Sequence, residues 1–472
     1  MGRVFFLLFF ALISLVSIAR PWIGVVCAYM VAVLTPQAVW FWDFEGVRPV
    51  LWVLLPTSIG IIVGLVRQQF DLAVMRQRTN RYVLVLWICL AISYYFGPYT
   101  HVGGPWRFDD ADISFATMNK ILLLYFMAGL CIDSELKLKT LFYAVAGSAV
   151  YLVYWANSQY LSGHVMGRLA GPVDLSGLGI YSDENNFAML FVVAQAFLWY
   201  LGSSFRQAPL RWGTWLIIPF CWHAVFLTAS RGGLVGLAVT TLLIALRSRS
   251  RLLGLALIPA FLFVYEWQAG PLMKGRADTI NQYQTDESAE SRLQAWQAAG
   301  RMIAAHPLTG VGLASFGPAF PDYSHDHPRE AHNTLLQITA QSGVLAGIMY
   351  VLIVLTSVTR LWRNGNRMRV RDGPRYGDMQ FCINEATLIA LCGLVVCSIF
   401  LSLQEFEIFY CLNVFANAVL YISRKEADSS AGSASESVRP GRQRVAAVVT
   451  PGAAAGRRGR PVGDVGARQG GR

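Results

Sequence analysis

The chain is 472 residues long, 55% hydrophobic and only 14% charged, whereas a typical soluble domain is about 25% charged. That balance excludes a soluble globular fold and makes the chain a polytopic, all-α membrane protein. The formal net charge of +11 does not point to nucleic acid, because six of those charges come from a Gly/Ala/Ser-rich stretch after residue 423 that has ten Lys/Arg against four Asp/Glu and no aromatic residue. Attraction to anionic lipid, worth about 1 kcal/mol per basic residue near a membrane surface, accounts for it better.

All eight cysteines (Cys27, Cys89, Cys131, Cys221, Cys382, Cys392, Cys397 and Cys411) fall in or at the ends of apolar runs, with no CxxC pair. Neither a disulfide framework nor a zinc site is indicated. The opening MGRVFFLLFFALISLVSIARPW has a charge and an apolar run but no small-x-small cleavage site, so a retained first span is expected.

A span needs roughly 20 mainly apolar residues. In chain order the candidates are about 3–19, 22–42, 48–66, 81–97, 116–133, 138–157, 185–202, 212–229, 231–247, 251–268, 332–361, 384–403 and 406–423. This predicts about 12–13 transmembrane helices. Arginine and lysine gather at every second connection: Arg67, Arg76, Arg78 and Arg81; Lys137 and Lys139; Arg206 and Arg211; Arg247, Arg249 and Arg251; and Arg360 to Arg375. Those connections are expected on the cytoplasmic side. The intervening ones, around Asp109, Asp110 and Asp112, from Asp174 to Glu184 and from Gly270 to Ala331, are acidic or mixed and are expected outside.

The chain therefore divides into N-terminal transmembrane helices (1–268), one large external loop (269–331), C-terminal transmembrane helices (332–423) and a disordered, basic cytoplasmic tail (424–472). Within the loop, TDESAESRLQAWQAAGRMIAAHP predicts a helix with Asp286 or Ser288 as N-cap, apolar Leu293, Trp296 and Ile303 at helical spacing, and Pro307 just past its end. Such a helix is suited to lie as an amphipathic lid on the membrane.

Chemistry is expected where the loop meets the next apolar run, at LTGVGLASFGPAFPDYSHDHPREAHNTLL. His332 sits at that junction, on the outer face. A lone histidine serves structure more often than catalysis, but one between Glu330 and Asn333 at a helix start can be oriented and kept neutral, with an ordinary pKa near 6.5 suited to accepting a proton. Arg231, in HAVFLTASRGGLVGLAV, lies between two spans with almost no loop. It either snorkels to the interface or clamps an anion, a planar fork being matched to phosphate oxygens. Arg292 on the external helix is either solvated or a second clamp. Asp183, Asn185 and Asn186 in YSDENNFAML either cap the seventh span or contact sugar hydroxyls. The SHDHP cluster (His325, Asp326, His327) invites a metal reading, but adjacent loop residues do not readily converge on one ion and no other His or Cys has matching spacing.

These residues carry a resemblance. SRGG at a span junction, the external ESRLQAW helix, HPLTGVGLASF, and EAHNTLLQ leading into SGVLAGIMY are together similar to the bacterial O-antigen ligase and polymerase superfamily. RPWIGV, SDENN and the loop layout look most like its exosortase-associated O-glycosylation ligase branch. The likeness covers about residues 1–423. It implies a cofactor-free, metal-independent inverting glycosyltransferase of the bacterial inner membrane, with its site and large loop facing the periplasm. The implied donor is a glycan on undecaprenyl pyrophosphate, and the acceptor a hydroxyl of a lipid, protein or glycan. On that template His332 takes the general-base position and Arg231 and Arg292 the pyrophosphate positions, with Asp183, Asn185, Asn186, Glu330 and Asn333 available for glycan or acceptor contacts. The alternatives are a polymerase extending the same glycan, and a lipid-linked glycan transporter, for which neither an internal repeat nor paired broken helices are visible.

Overall fold

The structure, a computed structural model, describes residues 2–44, 47–102, 110–173, 180–278, 287–370 and 376–437. Among these residues every extended element is helical. In chain order the helices are α1 (Gly2–Ala19), α2 (Pro21–Leu34), α3 (Pro36–Val39), α4 (Pro49–Val66), α5 (Arg78–Phe96), α6 (Ala111–Cys131), α7 (Glu135–Leu161), α8 (Glu184–Ser204), α9 (Ala208–Trp215), α10 (Ile218–Thr228), α11 (Arg231–Arg247), α12 (Arg251–Gln268), α13 (Pro271–Asp278), α14 (Glu287–Ala305), α15 (Phe316–Tyr323), α16 (Thr334–Ser342), α17 (Val344–Val370), α18 (Met379–Ser398) and α19 (Glu407–Ser437), with a 3-10 turn at Leu72–Arg76.

The boundaries follow from local chemistry. Proline opens α2, α3 and α4, where its missing N–H costs nothing. Asp110, Asp183, Ser230, Asn333 and Asp378 cap α6, α8, α11, α16 and α18, each accepting a hydrogen bond from a first-turn N–H.

Nine helices among the described residues are long and apolar enough to cross a membrane, or up to ten when α12 and α13, bent by 115°, are taken together. The count differs from the 12–13 expected for identifiable reasons. The run 212–229 is divided between α9 and α10, the longer of 11 residues. The run 231–247 forms as expected but is only 17 residues long. In α19 the buried Asn413 and Asn417 interrupt the apolar run. The expected single helix over 332–361 breaks at Gly343, whose φ of +86° belongs to the left-handed region. Leu308 O lies where a β-carbon would project from Gly343, so the HPLTGVG turn closes directly on this break.

Two compact units are distinguishable, Met1–Glu426 and Ala427–Arg472; the residues discussed below belong to the first. Helix α19 continues through Ser437, past the expected end of the last span at 423. The remainder of the expected disordered tail, 438–472, lies outside the described residues, as do Asp109, Asp174, Asp286, Arg371 and Arg375. Ser288 falls inside α14 rather than at its cap.

Helices α8 and α18 form the centre of the bundle, with 83% of each span buried. Helix α11 packs closely on both, since Gly233 brings its backbone to where a β-carbon would lie 2.8 Å from Ala188 Cβ. A second, separate core joins α14, α15 and α16 through Ala295, Ala299, Met302, Phe316, Phe320 and Ala331. The buried face of α14 is thus an alanine stripe, whereas Leu293 is 55% exposed. Helix α14 is thereby built into a small packed unit with α15 and α16.

Candidate functional site

Three helix N-termini are tied together, two of them by the end of α18 and the short segment 399–406 that follows it and the third by Arg168. At α16, Thr334 Oγ1 donates to Leu401 O (2.7 Å) and accepts from Leu403 N (2.9 Å). At α11, Cys397 Sγ contacts Gly232 O at 3.4 Å, and a β-carbon on Gly232 would lie 3.6 Å from Phe400 Cβ. Farther along the segment, Gln404 Nε2 donates to Gln341 Oε1 (3.0 Å) and Glu405 accepts from Ser114 Oγ of α6. The third N-terminus, that of α8, is joined to α11 by Arg168. Its Nε donates to Thr228 O (2.9 Å), two residues before the Ser230 cap, its Nη2 donates to Asn185 Oδ1 (2.9 Å), and its Nη1 lies 3.3 Å from Glu184 Oε2.

His332 stands immediately before the α16 cap. The peptide preceding it is held from both sides. Trp296 Nε1 of α14 donates to Ala331 O (2.9 Å), and Ala331 N donates to Gln337 Oε1 of α16 (2.9 Å). Thus anchored, His332 adopts φ +45°, a left-handed conformation that histidine tolerates better than most residues and that costs of order 1–3 kcal/mol. The side chain keeps an exposed face. Crowding by the protein around the ring is the main cause that lowers its pKa below the usual histidine value; the Arg292 charge adds to the lowering, Asp183 opposes it and Arg329 lowers it further. The imidazole is therefore neutral at pH 7, with a nitrogen able to accept a proton.

The structure thus brings His332, Arg292 and Asp183 within electrostatic reach of one another, and places Arg231 at the first position of α11, across the 397–403 segment from Thr334. Asp183 Oδ1 is engaged as the α8 cap, accepting from Asn185 N (2.9 Å) and Asn186 N (3.0 Å). Asn333 Oδ1 accepts from Leu336 N (3.1 Å). Asp183 Oδ2 also accepts from Asn185 Nδ2 (3.5 Å), so these groups, with Asn185 on Arg168, hold the frame; Asn186 and Glu330 are half-buried beside them. His325 and His327 are exposed on the preceding loop, and among the described residues no group of three or more His, Cys, Asp or Glu is arranged to hold a metal ion.

The electrostatics favour an anion. Each helix N-terminus carries the equivalent of roughly half a positive charge, and its orphan N–H groups point outward. Arg231, Arg292 and Arg329 add full charges. Sequence reasoning missed Arg168, whose partners lie 17 and 60 residues away, and the 399–406 segment, which reads as the ends of two spans.

Residues 216–351 match a family model described as O-antigen ligase. The matched stretch contains Arg231, Arg292 and His332, but not Arg168, Asp183 or the 399–406 segment. No curated protein matches the chain.

Proposed function

We propose that the chain is a glycosyltransferase of the bacterial inner membrane that moves a glycan from undecaprenyl pyrophosphate to an acceptor hydroxyl at the periplasmic face, without a metal. The observation that carries this reading is the convergence of a neutral, accessible histidine with arginines and three helix N-termini inside and around the O-antigen ligase match.

In this reading His332 takes the proton of the acceptor hydroxyl as the oxygen attacks the anomeric carbon. The bond from that carbon to the phosphate oxygen breaks on the opposite face, so configuration inverts. The electron pair leaves on the pyrophosphate, where Arg231, Arg292 and the helix N-termini stabilise the developing charge. A cation held in place for the leaving group raises kcat, because it acts where charge appears in the transition state. The lipid carrier reaches the site sideways from the bilayer, and the α14–α16 unit forms its outer wall.

The test is reconstitution of the purified protein in vesicles with a polyprenyl-pyrophosphate-linked glycan and candidate acceptors. Covalent transfer to an acceptor supports the reading, and the acceptor used separates a ligase from a polymerase. Movement of the intact donor across the bilayer without bond cleavage would make the protein a transporter instead.

A further inference from the structure

The turn that presents Arg231 is strained. Helix α10 ends at Thr228, Ala229 takes φ +48° at its C-cap, Ser230 caps α11, and Arg231 is the first residue of the new helix. A left-handed backbone is uncommon for a residue with a β-carbon, and Ala229, 1% exposed, has no polar side chain with which to hold it. Ser230 N donates to Thr228 Oγ1 (3.3 Å) and Gly233 N to Ser230 Oγ (3.1 Å), bonds that join the turn only to itself. Such a conformation persists where its surroundings over-determine it.

The hold from outside comes from a segment 60 residues earlier in the chain. The carbonyls in the last turn of a helix have no partner within it. Here Thr228 O accepts from Arg168 Nε (2.9 Å), and Leu227 O accepts from Leu169 N (2.9 Å). Two consecutive residues thus close the end of α10, and a guanidinium there suits the negative end of the helix dipole. The same guanidinium reaches the first turn of α8, with Nη2 on Asn185 Oδ1 (2.9 Å) and Nη1 3.3 Å from Glu184 Oε2. Its backbone is pinned as well, since Gly171 N donates to Tyr181 O (2.7 Å) and a β-carbon on Gly171 would lie 2.4 Å from Tyr181 Cβ.

We propose that Arg168 is a positioning residue for the lipid-linked donor. By clamping Thr228 on one side and Asn185 on the other, it holds the α10–α11 turn, and with it Arg231, in register with the N-terminus of α8. The cation then meets the pyrophosphate oxygens without rearrangement, the condition under which fixed charges stabilise a leaving group best. Arg168 is itself engaged on protein groups and acts through Arg231. Its planar fork serves three partners in fixed directions, which the point charge of a lysine does not reproduce. The inference rests on Arg231 being a pyrophosphate ligand.

The test is a double-mutant cycle on full-length protein in vesicles, with Arg168→Lys, Arg231→Gln and the double variant. The probe is undecaprenyl pyrophosphate without a glycan, so that sugar contacts play no part, and each preparation is checked by thermal unfolding. Arg168→Lys keeps the charge and is expected to bind the probe about tenfold more weakly than wild type, and Arg231→Gln at least as weakly. The double variant is expected to stay within about twofold of Arg231→Gln, because a residue that works through Arg231 has nothing further to lose once Arg231 is gone. A merely structural loss would persist in that background. Asn185→Leu removes one arm of the clamp and leaves every charge in place; it is expected to weaken binding in the same direction, and answers the question if Arg168→Lys does not fold. Wild-type binding in Arg168→Lys or, where that variant does not fold, in Asn185→Leu would overturn the proposal, as would losses that multiply in the double variant. Wild-type binding in Arg231→Gln would instead remove the pyrophosphate role of Arg231, and the proposal with it.

Discussion

Replacing Gln337 by leucine probes how the proposed catalytic geometry at His332 is held. Gln337 is 2% exposed, and its Oε1 accepts from Ala331 N (2.9 Å) and Ser402 Oγ (3.4 Å). Leucine fills nearly the same volume but leaves the Ala331 N–H buried without an acceptor, at a cost of about 1–3 kcal/mol. Ala331 is 0% exposed, so the cheapest relief is for residues 331–332 to leave their present backbone conformation. His332 already holds an unfavourable φ of +45°, which this anchor helps to maintain. The fraction of molecules with His332 in place, and with it kcat, is expected to fall about 5- to 160-fold, each 1.36 kcal/mol being a factor of ten. Arg231 and Arg292 are untouched, so binding of the donor lipid is expected to stay within about twofold of wild type. Single-turnover transfer and donor binding, measured on the same folded preparation, give the two numbers. A Gln337→Leu protein with wild-type turnover would refute the idea that the Ala331 peptide positions the base.

Three further outcomes are expected. Arg231→Lys keeps the charge and loses the planar fork, so donor binding is expected to fall tenfold or more if phosphate is held bidentately; near-normal binding would return Arg231 to an interfacial role. The pH profile of kcat/KM is expected to lose activity only below the usual histidine range, because the depressed pKa of His332 keeps it neutral there. Arg292→Gln removes a cause of that depression and should move the acid limb to higher pH, whereas Asp183→Asn, which preserves the cap, should move it to lower pH; shifts of the reverse sign would show that another group titrates. Transfer is expected to persist in excess EDTA and in the His325→Ala, His327→Ala double variant, and loss on chelation restored by magnesium or manganese would place a metal in the reaction.

Much of the fold is legible because membrane spans are written as long apolar runs, and their starts as Asp, Ser or Asn followed by such a run; Asp183 and Ser230 behave in this way. What escapes is everything set by contact between distant segments. The break at Gly343 depends on the HPLTGVG turn lying against it, with Val344 N donating to Pro307 O at 2.9 Å. Hydropathy alone reads 332–361 as one helix because both sides are apolar. The packed face of α14 was hidden by alanines, which carry little hydropathy signal but permit close approach, while Leu293 drew attention and points outward. At the site, His332, Arg231 and Arg292 stand out as polar residues in unusual places. Arg168 does not, since an arginine in a polar loop is unremarkable until Thr228 and Asn185 are brought to it.

The central claim is that His332 is the base for transfer of a lipid-linked glycan, and the most direct measurement is turnover of His332→Ala beside wild type in reconstituted vesicles, with membrane insertion and thermal unfolding checked on both. The wild type is expected to form the acceptor–glycan bond, and the variant to insert and fold normally while turning over roughly 100- to 10,000-fold more slowly, the usual contribution of general acid–base catalysis. Wild-type turnover in His332→Ala would contradict the assignment.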